Sequence, residues 1–308
     1  MGRGATSQNG LIECSTDKIL EKLTAAVNTQ NKTSECKLDY ILKKLTAVSA
    51  KTNAARLWRG CLWCTPAPRR EAGTVRRTVD DMKVFFQSCK GFDPHQTTDF
   101  YNSWAETYEQ DSETMKYRAP QLAVDFLNDH FCGNRGDAQV LDVACGSGLA
   151  AKLMFDLGFK HFVGVDGSKG MLEQAAKSGL YRELKLALLG TDPLPAQTGE
   201  FDVVIIVGAL RDGFVPVSII RELYKTTKPG GYVCMSRVDP KSESGNKYKT
   251  SMERELQLMV EEGLWSPVDT KEMHRYMIDV YNDKSKDEKK EDFLHGTMYL
   301  YRKSLNKL

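Results

Sequence analysis

The stretch Val140-Leu141-Asp142-Val143-Ala144-Cys145-Gly146-Ser147-Gly148-Leu149-Ala150-Ala151 constrains this chain more than any other, because an apolar strand ends in a carboxylate and turns through two glycines into a helix. Glycine at 146 and 148 removes the Cβ atoms that would hold the backbone away from a ligand, and the helix that follows offers its free N–H groups. Eighteen residues after Gly148, a second apolar run, Phe162-Val163-Gly164-Val165, ends in Asp166. An acid at that place is positioned to accept hydrogen bonds from both hydroxyls of a ribose. The pattern predicts an α/β domain whose strand ends cradle a nucleoside.

Two cofactor classes share this geometry. The spacing Gly146-x-Gly148-x-x-Ala151 satisfies the dinucleotide fingerprint, so spacing alone leaves a nicotinamide-dinucleotide oxidoreductase open. The discriminator is Asp142, four residues before the first glycine. A carboxylate there repels a pyrophosphate and attracts the ammonium of an amino acid. S-adenosylmethionine carries a ribose at one end and an α-ammonium at the other.

With these residues the chain resembles the class I S-adenosylmethionine-dependent methyltransferases. The resemblance implies a Rossmann-like, seven-stranded fold with an antiparallel terminal strand. Leu188 to Pro195 is similar to the end of the family's third strand, with Asp192 where a carboxylate commonly receives the adenine amine. Phe201 to Leu210 reads as a buried fourth strand, since it is continuously apolar. Lys228-Pro229-Gly230-Gly231 followed by Tyr232 to Ser236 matches the turn and fifth strand. Phe100 to Tyr108 resembles the helix that folds over the cofactor in small-molecule-type members. The resemblance therefore implies cofactor contacts from Asp142, Ala144, Gly146 and Gly148, from Asp166, Gly167, Ser168 and Met171, from Thr191 and Asp192, and from Gly208, Ala209 and Leu210. Ala144 departs from the pattern, since many relatives carry glycine there.

Past the fifth strand, apolar residues at Met252, Leu256, Met259 and Val260 are spaced for a helix over 249–262. Tyr276 to Tyr281 and Phe293 to Tyr301 read as two strands joined by a charged loop. A terminal hairpin that adds an antiparallel strand resembles the methyltransferase ending and differs from a wholly parallel dinucleotide fold.

Methyl transfer from a sulfonium needs an acceptor held in line and water excluded, with a general base only where the acceptor must lose a proton. Tyr101, Tyr108, Arg118, Arg211 and Asp212 are the candidates for acceptor contact, each with a plainer reading as a packing tyrosine or a solvated loop charge. An N-P-P-Y type motif is missing after the fourth strand, where Val207-Gly208-Ala209-Leu210 stands instead, and so is a proline–cysteine nucleophile. A small-molecule acceptor is therefore expected, with protein side chains second. A methyltransferase fold also serves as a scaffold in some proteins, so a non-catalytic cofactor-binding or interaction module is the competing expectation.

Charge divides the chain. Residues 1–79 hold 14 Lys/Arg against 6 Asp/Glu, and the remainder holds 29 against 35. The remainder, mildly acidic, has no general attraction for nucleic acid. Residues 1–78 read as a leader, 79–308 as the methyltransferase domain and 138–236 as its core. In the leader, 17–25 recurs as 39–47, predicting two short helices that could associate weakly with each other or another chain. Cys61-Leu62-Trp63-Cys64 has the spacing of half a zinc site, but a matching second pair is lacking and no metal is expected. Eight scattered cysteines, without an apolar run of membrane-spanning length or a secretory signal, predict a soluble protein of the cytoplasm or nucleus.

Overall fold

The computed structural model describes residues 76–89, 91–239, 241–281 and 292–305. The leader repeats, the Cys61/Cys64 pair and most of the charged hairpin loop lie outside these residues. Seven strands form one sheet in the order β3-β2-β1-β4-β5-β7-β6. They are β1 (Gln139–Val143), β2 (His161–Asp166), β3 (Tyr181–Leu186), β4 (Phe201–Val207), β5 (Thr227–Val238), β6 (Trp265–Ile278) and β7 (Phe293–Lys303). The first five pair in parallel, while β7 runs antiparallel to both β5 and β6. This inserted antiparallel strand is the expected methyltransferase ending.

Helices among the described residues are α1 (Val79–Gln87), α2 (Pro94–Trp104), α3 (Tyr108–Thr114), α4 (Ala119–His130), α5 (Leu149–Asp156), α6 (Lys169–Ala176), α7 (Ile219–Thr226) and α8 (Glu243–Glu261). Strand residues alternate between two cores because successive side chains point to opposite faces. Val140, Phe162, Val203 and Cys234 pack with α4 and α5, whereas Leu141, Val163, Val204 and Val233 pack with α7 and α8. Exposed β3 is a sheet edge bearing Arg182, Glu183 and Lys185, charges that discourage pairing with another chain. No helix among the described residues is long and apolar enough to cross a membrane.

Several elements differ from their sequence-based expectation. Leu188 to Pro195 is a loop rather than a strand end, since β3 stops at Leu186. Within it the Asp192 carboxylate accepts the Leu188 N–H at 3.0 Å and closes a turn. The helix expected over 100–108 is broken after Trp104. Its indole N–H donates to Asp111 at 2.8 Å, folding α3 back so that Tyr108 lies 4.8 Å from the Trp104 ring. Ser242 caps α8, which therefore begins six residues earlier than its apolar spacing indicates. Strand β6 starts at Trp265 because pairing with β7 carries its exposed first half, which has no apolar pattern of its own.

Candidate active site

Between β1 and β4 the chain leaves in opposite directions, and in open α/β sheets a ligand crevice forms at such a point. A cleft with about 720 Å³ of empty space opens there. Its floor is Ala144 and Gly146 after β1, Asp166 to Ser168 after β2, and Val207 to Ala209 after β4. Tyr101, Tyr108, Tyr117 and Phe214 wall one end, and Leu188, Leu189 and Met171 supply apolar surface.

Asp166 anchors the floor. Its Oδ2 accepts the Gly146 N–H at 2.8 Å and its Oδ1 accepts the Ser168 N–H at 2.8 Å. Burial raises its pKa, and these N–H groups pull it back down. Each oxygen keeps a further lone pair for a ligand hydroxyl. Ser168 caps α6 through the Met171 N–H and donates its own hydroxyl to Asn102 at 2.8 Å. Asn102 also receives the Gly170 N–H at 2.9 Å, which fastens α2 over the loop that follows β2.

Behind the glycine turn, Asp142 is only 2% exposed and does not line the cleft. Its Oδ2 accepts the Tyr181 hydroxyl at 2.7 Å. Burial is the main cause that raises its pKa to about 7, the Tyr181 bond opposes it and the Asp166 charge adds to it. Gly148, at the N-cap of α5 with φ +88°, lies against the same ring: a Cβ there would meet Tyr181 at 3.1 Å. Ala144 occupies the left-handed region at φ 53°, which costs a non-glycine residue roughly 1–2 kcal/mol and explains why glycine suits that position.

At the walled end, the Gly208 N–H bonds to the Ser236 carbonyl at 3.1 Å and hydroxyl at 3.2 Å. Ser236 in turn meets the Tyr276 hydroxyl at 3.1 Å. Burial pushes Tyr108 and Tyr276 up to about 12 and Tyr101 and Tyr117 well up, so all four hydroxyls stay protonated at neutral pH. Arg211 stacks on Phe214 with its guanidinium carbon 3.5 Å from the ring centre, behind the wall rather than on the cleft. The structure does not bring the remaining candidates to the cleft. Arg118 is exposed, with its backbone N–H bonded to the Tyr276 carbonyl; Asp212 is exposed; Thr191 and Asp192 sit on the exposed turn; Leu210 is buried in the core.

A family profile described as a methyltransferase domain matches residues 134–288. Methyltransferase-like protein 27 of Homo sapiens is 48% identical over 171 residues, spanning 55% of this chain and 68% of that protein. The chain belongs to the class I S-adenosylmethionine-dependent methyltransferases. Among solved structures, a [4+2]-cyclase, SpnF, is similar at a TM-score of 0.51 and 16% identity, covering 70% of this chain and 97% of that one, a likeness of fold alone. Membership of the methyltransferase family, with β7 antiparallel, closes the dinucleotide alternative.

S-adenosylmethionine is the cofactor, and the residues present suit it. Asp166 offers two free lone pairs at the ribose position, the Gly146 backbone lies beside it, and Leu188, Leu189 and Met171 form an apolar slot fit for a purine. Asp166→Ala should weaken S-adenosylhomocysteine binding by tenfold or more, because charge-assisted hydrogen bonds contribute roughly 1.5–3 kcal/mol each. Calorimetric titration of a variant that still melts cooperatively checks this, and unchanged affinity would remove Asp166 from the ribose site. Sequence reasoning missed Asn102, Tyr181, Phe214 and the Leu188–Leu189 slot. None carries a motif, and Tyr181, the first residue of β3, stands in register with Phe162 and Val140 rather than with Asp142, so strand alignment alone does not reveal the contact.

Proposed function

We propose that this methyltransferase acts on a small molecule. The observation that carries the reading is the walled end of the cleft, where Tyr101, Tyr108, Tyr117 and Phe214 close over Gly208 and Ala209. Lid helix α2 is tied down by Asn102, and Trp104 is held by Asp111, which also pairs with Arg77. An acceptor small enough to sit inside this wall is shielded from water; a folded protein surface would have to displace it.

The bound cofactor supplies an electrophilic methyl group on a positively charged sulfur. An acceptor lone pair held in line would take that methyl group, and the cofactor would leave as the neutral thioether. The chain's part is to position and to exclude water. Asp166 holds the ribose, Gly208 lets the β4 end approach closely, and the tyrosine hydroxyls donate hydrogen bonds. They stay protonated and so take no proton from the acceptor, which reaches the cleft with a lone pair already available and loses any proton it carries to water once the product leaves.

Incubation with methyl-labelled S-adenosylmethionine and a cell extract separated by size should place label in the small-molecule fraction. Label confined to protein would overturn the small-molecule reading, and label in nucleic acid would overturn the charge argument against it. Persistent absence of label with intact cofactor binding would favour a scaffold.

A further inference from the structure

Among the described residues that line the cleft, Asp166 is the one charged group, and none is a histidine, cysteine, lysine or arginine. Asp166 is held at the ribose position by the Gly146 and Ser168 N–H groups. The Thr97, Thr98 and Ser168 hydroxyls are committed to the Gly213 carbonyl, the Pro94 carbonyl and the Asn102 side chain. Tyr101, Tyr108 and Tyr117 keep their protons at neutral pH. Among the described residues, the walled end therefore presents no group that takes a proton and no lining cation.

This lining sorts acceptors by their chemistry. An alcohol, an amide or a carbon acid must lose a proton as it reacts, and nothing at the walled end receives one. Thiolates and carboxylates react without a base, but entering here exchanges their water for a wall that offers no cation. A neutral amine already has its lone pair and enters without a charge. As it reacts, positive charge passes from sulfur to nitrogen, and aromatic rings attract positive charge within about 6 Å of their centres. The Tyr101 and Tyr108 rings, both on the cleft, have centres 6.3 Å apart at an interplanar angle of 54°, so a nitrogen beside them lies within that range of both. Phe214 is not counted with them, because the half-buried Arg211 guanidinium already covers one of its faces.

We infer that the acceptor is an amine, selected by an aromatic cage of Tyr101, Tyr108 and Tyr117. The inference rests on the small-molecule reading and narrows it to nitrogen nucleophiles. The amine lone pair forms the N–CH₃ bond as the carbon–sulfur bond breaks, and the electron pair of that bond stays on sulfur. The methylated product leaves as an ammonium ion and gives its proton to water outside the cleft.

Fractionation separates the two readings. A small-molecule extract is acidified and passed over a cation exchanger, which retains amines; both fractions are then neutralised and assayed with methyl-labelled S-adenosylmethionine. The retained fraction should yield a product with the labelled methyl on nitrogen. Activity only in the flow-through, or a methyl on oxygen, sulfur or carbon, overturns the amine inference and leaves the small-molecule reading standing; activity in neither fraction overturns both. In parallel, the full chain loaded with S-adenosylhomocysteine is titrated calorimetrically at neutral pH with benzylamine, benzyl alcohol and benzoate. Benzylamine, protonated there, stands in for the cationic product and should bind roughly tenfold or more tightly than the other two. Tyr101→Leu should cut that preference by about fivefold or more, whereas Tyr101→Phe, which keeps the ring, should retain it. The preference is a ratio between probes on one protein, so a smaller folded fraction does not change it. Where Tyr101→Leu does not melt cooperatively, Tyr108→Leu carries the same test. Equal binding of the three probes, tighter binding of benzoate, or a preference that survives in both leucine variants overturns the inference.

Discussion

Asp142→Asn is expected to make the protein more stable at pH 8 and worse at binding its cofactor. The carboxylate is 2% exposed, has the Tyr181 hydroxyl as its donor and lies near the like charge of Asp166. Burial raises its pKa to about 7 in the fold, from the ordinary 3.8 of an exposed aspartate. Between these values the native state keeps a proton that the unfolded chain has released, so stability falls as pH rises from about 4 to about 7 and stays low above that. Asparagine keeps the shape and removes the ionisation. The gain above pH 7 should be on the order of 2–4 kcal/mol, roughly 5 °C or more in melting temperature, and should vanish near pH 4.

The carboxylate lies behind the glycine turn, outside the cleft, and its charge would act through low-dielectric protein on an ammonium bound at that turn, so S-adenosylhomocysteine affinity should drop about tenfold in the variant. Binding to the unaltered protein near pH 7 should release a proton as Asp142 ionises, read as heats that depend on the buffer. A stability gain equal at pH 4 and pH 8 would show that ionisation is not the cause. Unchanged affinity without proton release would show that the ammonium is held elsewhere.

Gly208→Ala is expected to disable the site. The backbone there has φ +73°, and an added Cβ would stand 2.2 Å from the Tyr117 hydroxyl oxygen. The left-handed conformation costs about 1–2 kcal/mol for alanine, and the clash forces Tyr117 out of the cleft wall. Methyl transfer should fall by about a hundredfold, since misplacement of about 1 Å near reacting atoms has effects of that order. Tyr117→Phe removes the clashing oxygen and leaves the ring carbon 3.5 Å from the new Cβ, so the double variant should recover part of the loss. Purely additive effects of the two substitutions would show that the Tyr117 clash is not responsible.

How much of this was legible beforehand depended on the range of the interactions involved. The glycine turn after β1, the acid ending β2 and the continuous apolar run of β4 are local patterns, because strand period, turn chemistry and a buried parallel strand each leave a mark within a dozen residues. From them the α/β class, the cofactor and the floor from Ala144 to Ala209 follow. The order of strands around β7 was legible only through family resemblance, and the length of β6 was not, since an exposed edge strand is stabilised by its partner rather than by its own pattern.

Contacts across the fold decided the rest. Tyr181 is 39 residues from Asp142, and Asn102 is 66 from Ser168. Neither pairing can be read from spacing, because only the sheet order and the docking of α2 bring them together. For the same reason Asp192, in a favourable sequence position, is taken up closing its own turn, and Arg211, indistinguishable in the sequence from a solvated loop charge, lies half-buried against Phe214. The sequence by itself determined which backbone meets the cofactor, since that is a matter of local turn geometry. Only the tertiary structure decided which side chains face the acceptor, since burial and charge compensation depend on neighbours from distant parts of the chain.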